Sequence, residues 1–153
     1  MTTILAAGGG FLLAVLWMDL MFDVQVLRHK DATSELPETV LASIAAYYRR
    51  VTTDAWPMGG LIGIVMASVV LGTLARAVFG NQPRWIDIVS LVLSGGPTVL
   101  ALSRVVPNAA RLGTRLDSAA HQSTLARAIC REHLVCLDSI ATFIAIQLWA
   151  AQM

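Results

Sequence analysis

The sequence predicts an all-α integral membrane protein: a four-helix bundle with one interfacial amphipathic helix between its first and second spans. Hydrophobic residues make up 56% of the chain and charged residues only 14%, whereas soluble domains carry roughly a quarter charged residues. The apolar residues gather into runs as long as the ~20 residues that cross a bilayer. The 153 residues have room for about four such spans, so residues 1–153 are predicted to form a single transmembrane domain.

Span one is predicted over about residues 4–27. The residues before it lack the basic start of a secretory signal, so we expect this apolar run to be retained as a helix. Gly8, Gly9 and Gly10 would let a neighbouring backbone approach closely. The unusual feature of this span is a pair of aspartates, Asp19 and Asp23, inside an otherwise hydrophobic stretch.

Residues 37–53 are predicted to form the interfacial helix. Pro37 suits a first helical turn, and the apolar positions that follow recur at helical spacing. Arg49 and Arg50 stand together near its end. The segment is too short and too charged to cross the bilayer, so we expect it to lie in the interface or beneath the bundle.

Spans two and three are predicted over about residues 56–79 and 85–106, as antiparallel neighbours joined by a short turn. Gly59, Gly63 and Ala67 form a stripe of small residues on one face of span two, and such stripes permit close packing within a bundle or in a homodimer. In span three, Ser94 to Pro97 reads SGGP, which predicts an interruption and a kink at mid-membrane.

After Pro107, a polar connector is predicted to form a turn and a short surface helix. Span four follows over about residues 127–149. Nine of the eleven basic residues lie in the connectors after spans one and three or at the span ends that adjoin them. By the positive-inside rule, both termini should lie outside the cytoplasm of a multi-pass protein of the cell membrane.

Several classes of function are disfavoured. A net charge of +1, with basic residues scattered through connectors, gives no nucleic-acid-binding surface. Cys130 and Cys136 are six residues apart on one helix, about 9 Å of rise, and cannot bridge each other. No nucleophile motif, phosphate-binding glycine loop or haem-attachment motif is present. The sequence therefore identifies no cofactor.

The ionisable residues of the spans predict one polar site in the cytoplasmic half of the membrane. Asp19 and Asp23 are four residues apart and share a helix face, and an ionised side chain at mid-bilayer costs at least ~2.5 kcal/mol. The candidate catalytic residues are Asp19, Asp23, Asp138 and His133. The candidate ligand-binding residues are Tyr48, Arg49, Arg104, Asn108 and Arg111. The alternative is that buried Asp–Arg pairs merely hold the helices together.

A metal site is not predicted. Carboxylate-bridged di-iron bundles use Glu-x-x-His pairs, and the sequence has none. Glu132 and His133 are adjacent, so their side chains point about 100° apart on a helix.

The second half of the chain resembles a broad family of small four-helix bacterial membrane proteins that includes the anthrone-oxygenase-like proteins. The similarity rests on Val105-Val106-Pro107-Asn108, Arg111-Leu112 and Arg131-Glu132-His133-Leu134, in about a third of the chain. The resemblance implies a bundle that admits a flat hydrophobic molecule and, in the named members, oxidises it without an obvious cofactor. It carries Asn108 and His133 over as site residues.

Three functions fit these features. The first is a membrane-embedded protein that binds or converts a hydrophobic small molecule in the polar pocket, with an aspartate as general acid or base and Arg104 and His133 polarising an oxygen. The second is a small dimeric proton-coupled transporter in which Asp19 exchanges the proton. The third is an accessory subunit of a membrane complex.

Overall fold

The computed structural model describes residues 1–29, 31 and 34–152, and most of these residues are helical, with no strand among them. The predicted all-α class is confirmed. Four helical stretches are long and apolar enough to cross a membrane, namely Thr2–Arg28, Pro57–Phe79, Arg84–Thr114 and Ala119–Ala150. The individual α-helices are α1 (Thr2–Asp23), α2 (Glu38–Arg49), α3 (Trp56–Phe79), α4 (Arg84–Leu100), α5 (Val106–Thr114) and α6 (Ala119–Ala150).

The third stretch differs from the prediction because α4 runs without interruption through Pro97. The helix is therefore not interrupted at Ser94 to Pro97, and the kink predicted there stays a prediction. Membrane helices tolerate proline because nearby groups and small adjustments of the helix accommodate the freed backbone carbonyl. The irregularity lies just beyond, at Ala101–Val105, where the hydrogen bonds widen into a π-helical turn before α5 begins.

The segment after Pro107, which was predicted to be a turn followed by a short helix, also differs from the prediction. A short helix comes first, as α5, and the turn follows it. Arg115 adopts a left-handed conformation with φ of 59° and ends α5, and the Ser118 hydroxyl accepts from the backbone N–H of His121. Because Ser118 caps the next helix there, α6 begins at Ala119, before the predicted start of span four.

The four long helices pack in a ring in which α1 contacts α3 and α6, and α4 contacts the same two helices. The chain termini lie at one end of the ring, which we call the terminal end. The other end holds α2 and α5, which pack against each other and against α6. We call it the connector end.

Two apolar clusters occupy the two ends of the ring. The cluster at the terminal end includes Leu12 and Phe143, and the cluster at the connector end includes Val26 and Ile129. Between these levels, α1 and α6 carry buried ionisable side chains instead of apolar ones. The predicted polar residues of α1 and α6 thus form a layer between two separate cores.

The packing of α3 changes along its length. Near the terminal end, a Cβ atom added to Gly72 would lie only 2.9 Å from Leu5. At Gly59, Gly60 and Gly63, near the connector end, an added Cβ would meet nothing within 4 Å. Residues 57–64 are exposed at every position except the half-buried Ile62. The first two turns of α3 are therefore largely exposed and border open space at these glycines.

Candidate functional site

The centre of the polar layer is Asp23, whose side chain is fully buried. The Tyr48 hydroxyl donates to Asp23 Oδ1 at 2.6 Å. Nδ1 of His133 lies 2.6 Å from Asp23 Oδ2. With Asp23 as a carboxylate, Nδ1 carries the hydrogen, and both oxygens accept a short, charge-assisted hydrogen bond. Tyr48 and His133 are themselves buried, so water does not compete for these bonds.

Asp19 lies one turn earlier on α1 and faces the other side of the imidazole. The Tyr47 hydroxyl donates to Asp19 Oδ1 at 2.6 Å, whereas His133 Nε2 is 3.8 Å from Asp19 Oδ2. That distance is too long for a hydrogen bond. The Asp19 side chain retains 15% exposure. We call Asp19, Asp23, Tyr47, Tyr48 and His133 the Asp–His cluster.

The local geometry of α1 and α2 explains why two tyrosines meet two aspartates. Four-residue spacing puts both carboxylates on one face of α1. On α2, the adjacent Tyr47 and Tyr48 rings are in edge contact, with centroids 5.3 Å apart. Phe22 stacks on Tyr47 at 4.1 Å. This aromatic contact holds α2 against α1, so each phenol reaches its own carboxylate.

The cluster can hold and transfer protons. Burial, followed by the hydrogen bonds and charges of the aspartates, raises the pKa of both tyrosine hydroxyls above the usual range. The phenols therefore remain neutral donors. The imidazole is oriented by Asp23 through Nδ1 and keeps Nε2 free of any hydrogen bond to a described residue. A nitrogen oriented in this way can act as a general acid or base.

No arginine contacts either aspartate of the Asp–His cluster within the described chain. The predicted alternative, in which Asp–Arg pairs simply hold helices together, does not describe Asp19 and Asp23. Their carboxyl oxygens instead contact two neutral phenols and one imidazole, and of these groups the imidazole is the one suited to exchange a proton. The arginine proposed to polarise a ligand, Arg104, forms a pair elsewhere.

Arg104 lies in the π-helical turn, and its Nε is 3.0 Å from Glu132 Oε1. The contact is an ion pair without hydrogen-bond alignment, and neither carboxylate oxygen of Glu132 has a hydrogen-bond partner among the described residues. The Glu132 side chain is 5% exposed and that of Arg104 is 57% exposed. The sequence did not single out Glu132 as a site residue, although a charged residue directly before His133 was a signal.

The remaining predicted ligand-binding residues lie outside the Asp–His cluster. Arg111 forms a two-bond ion pair with Asp117 at 2.8 Å on the exposed surface. Arg49 is exposed at the end of α2, and Asn108 is half-buried on α5. Of the five residues predicted to bind ligand, the structure brings only Tyr48 into direct contact with Asp19, Asp23 or His133.

Asp138 is also separate from the Asp–His cluster. It is exposed on α6 and lines a groove of about 600 Å³ with Arg131 and other residues of α6 and of the segment that follows α1. His133 and Asp138 are five residues apart, which turns their side chains about 140° from each other on a helix. The predicted single site therefore divides into a buried cluster and a surface groove.

A second buried polar network, at the terminal end, was not predicted from the sequence. Arg76 Nε donates to Asp87 Oδ1 at 2.9 Å, and the same guanidinium donates to Gln147 and to Ser90. The network joins α3, α4 and α6. A signal was available, since Arg76 and Asp87 lie within apolar helices on either side of one short turn. This network is where a buried Asp–Arg pair connects helices.

Neither the possible metal ligands nor the comparisons with known proteins indicate what reaction or ligand the site serves. The described part of the chain has no group of three or more His, Cys, Asp or Glu side chains placed to hold a metal ion. Both cysteines are free and buried. No family model, curated protein or solved structure matches this chain. The resemblance to the anthrone-oxygenase-like family stays a prediction.

Proposed function

We propose that this chain is a multi-pass membrane protein that takes a lipophilic small molecule from the bilayer and binds or converts it at the Asp–His cluster. In this arrangement the four long helices cross the membrane as a bundle. The connector end faces the cytoplasm, α2 lies at the interface, and both termini are outside. The distribution of basic residues, nine on the connector side and two on the other, supports this orientation.

The observation that carries the proposal is that the unpacked part of α3 coincides with the level of the Asp–His cluster. Gly8 packs against Val69, and Gly72 packs against Leu5. The two helices are therefore antiparallel, and each step forward along α1 corresponds to one step back along α3. Following this register, Asp19 is level with about residue 58 of α3. The open space beside residues 57–64, which we call the gap, thus lies at about the level of the partly exposed carboxylate of Asp19.

The chemistry of the gap favours a molecule with an apolar body and one polar group. Its α3 wall carries glycines and exposed aliphatic side chains such as Leu61 and Ile64. At the cluster, His133 Nε2 and the second oxygen of Asp19 are available to a hydroxyl or carbonyl. Quinones, polyketides and isoprenoid alcohols have this combination, and the resemblance to the anthrone-oxygenase-like family implies a flat molecule of that kind. The cluster would supply a proton or remove one.

Native mass spectrometry of the gently extracted protein tests this proposal. We expect wild type to retain a small molecule that is lost from an Asp19→Asn, Asp23→Asn double variant. Asn preserves the size of each side chain but cannot exchange a proton or hold charge. The matched control is Asp54→Asn, because Asp54 is an exposed carboxylate at the connector end.

Equal retention in wild type and the double variant would contradict the proposal. A protein that carries no small molecule even from its native membrane would contradict it too.

A dimeric proton-coupled transporter is the second candidate, and one observation favours it. Gly59, Gly63 and Ala67 are exposed, so no helix of this chain covers the stripe of small residues. A second copy could pack there and complete a pathway past Asp19. A dye-efflux assay distinguishes the candidates: a transporter loses efflux in Asp19→Asn, whereas unchanged efflux would eliminate this candidate.

A further inference from the structure

In the proposed membrane placement, the position of the Asp138 side chain would be energetically unfavourable for this chain by itself. The rings of Trp85 and Trp149 are 5.8 Å apart, and paired tryptophans of this kind mark a membrane interface. Asp138 is eleven residues from Trp149, about 16 Å along the helix, which is near the middle of a ~30 Å hydrocarbon layer. Its side chain is exposed, so in the proposed membrane placement it would face lipid.

The groove beside Asp138 has an ordered pattern of charge. Arg131 lies seven residues before Asp138, almost directly in line on the same face of α6, and about 10 Å closer to the cytoplasm. Arg127 lines the groove one turn further on, and Leu134 and Val135 form the apolar surface between the charges. Neither Arg131 nor Asp138 forms an ion pair with a described residue.

A second copy of this chain does not fit the pattern. In a symmetric dimer with its axis along the membrane normal and through the groove, residues on the axis meet their own equivalents, and all contacts join residues at similar depth. Asp138 would then face Asp138, and Arg131 would face Arg131, which is unfavourable for both pairs. Among the described residues of the spans, no exposed basic side chain lies near mid-membrane that could pair with Asp138 in an asymmetric contact.

We propose that the groove is the docking surface for a transmembrane helix of a different protein, which carries a lysine or arginine at mid-bilayer opposite Asp138. The partner would carry an acidic residue about 10 Å nearer the cytoplasm, opposite Arg131. Pairing removes the cost of an isolated charge in the bilayer, and Leu134 and Val135 supply the apolar contact. The inference rests on the proposed membrane placement and is independent of the ligand at the Asp–His cluster.

The test uses a leucine–alanine transmembrane peptide of about 20 residues with a single central lysine. Full-length protein and peptide are labelled as a fluorescence energy-transfer pair in phosphatidylcholine vesicles, which carry no anionic headgroup to compete for the arginines. We expect the lysine peptide to associate with wild type about fivefold or more tightly than the same peptide without lysine. Asp138→Asn should abolish that difference.

Two further variants distinguish association that depends on the shape of the groove from association through charge alone. Val135→Trp fills the groove without changing its charge and should weaken association with the lysine peptide. Asp138→Lys should transfer the preference to a peptide with a central glutamate. Because the Asp–His cluster is intact in all three variants, ligand retention in native mass spectrometry should be unchanged, so the two proposals can fail separately.

Equal association of the lysine and neutral peptides with wild type would overturn the inference, as would full association by Val135→Trp. A lipid occupant would also overturn it. In that case vesicles containing phosphatidylglycerol would block the peptide, and the Arg127→Gln, Arg131→Gln variant would relieve the block.

Discussion

At the residue scale, the hydroxyls of Tyr47 and Tyr48 are direct spectroscopic reporters of the site, because the chain has only these two tyrosines. Both pKa values are raised in the folded chain, first by burial and then by the neighbouring aspartates. We predict that the folded protein shows no phenolate absorbance at 295 nm near pH 10, whereas the denatured protein titrates at the ordinary pKa of 10.0. Normal titration of both phenols in the folded protein would contradict the geometry of the cluster.

The same pKa shifts determine the direction in which the stability of the fold changes with pH. A raised pKa means that the folded chain binds the phenol protons more tightly than the unfolded chain. The stabilisation is therefore fully present below pH 10 and declines as pH rises beyond that value. Unfolding midpoints measured through this range should fall more steeply for wild type than for a Tyr47→Phe, Tyr48→Phe variant.

Removing each of the two tyrosine hydroxyls separately should lower the unfolding free energy by different amounts. Tyr48→Phe deprives the fully buried Asp23 of one of its two donors, so we predict a loss of about 1–3 kcal/mol in unfolding free energy. Tyr47→Phe should cost less, because Asp19 is partly exposed and water can replace the phenol. Denaturant unfolding followed by circular dichroism measures both values, and equal losses would show that Asp23 is no more isolated from water than Asp19.

At the element scale, the uneven packing of the glycines predicts opposite effects from the same substitution. A Cβ at Gly9 would lie 2.9 Å from Ile144 and 3.3 Å from Phe143, so Gly9→Ala should destabilise the chain by about 1–3 kcal/mol through overpacking. Gly63 has open space around it, and alanine is the better helix former by about 1 kcal/mol. Gly63→Ala should therefore be neutral or stabilising. A loss at Gly63 as large as that at Gly9 would mean that the first turns of α3 are packed.

The ion pair between α3 and α4 should behave as a structural connection. Arg76→Met leaves Asp87 charged, buried and without its main partner, which costs about 3–5 kcal/mol. Replacing both residues, as in Arg76→Met, Asp87→Leu, removes the uncompensated charge and should recover most of that loss. The four unfolding free energies of this double-mutant cycle test the statement. Additive losses would show that the two side chains do not interact.

Helix-level features were predictable where a local pattern determines them. Hydropathy located the four long helical stretches, and the four-residue spacing of Asp19 and Asp23 placed both carboxylates on one face of α1. The interruption predicted at Pro97 does not occur, because proline rules for helices in water do not transfer to a stretch whose neighbours accommodate it. The start of α6 was not predicted, because the cap at Ser118 determines it and hydropathy does not detect helix caps.

At the scale of the whole molecule, the composition of the site could be predicted only in part. Spacing shows which residues share a helix face but does not show which neighbour that face meets. Asp138 and His133 both lie within α6, yet one lines a surface groove and the other contacts Asp23. Tyr47 joins the cluster only because α2 folds back onto α1, and that contact depends on tertiary packing that a single sequence does not determine.

The arrangement of the whole molecule supports the proposed function. Tight packing at the terminal end and the Arg76 network hold the ring closed on one side. At the connector end, the exposed first turns of α3 lie at the level of the Asp–His cluster, where no described arginine pairs with Asp19 or Asp23. A lipophilic molecule could therefore reach the Asp–His cluster from within the bilayer while the opposite end of the ring stays closed.

The most direct test of this claim is to fill the gap and leave the Asp–His cluster intact. A Gly59→Leu, Gly63→Leu variant adds two large side chains on one face of α3, at positions where an added Cβ meets nothing within 4 Å. Native mass spectrometry then measures how much small molecule the variant retains relative to wild type. The account predicts that retention is lost while helix content and unfolding midpoint stay at wild-type values. A filled variant that retains the molecule as well as wild type would contradict it.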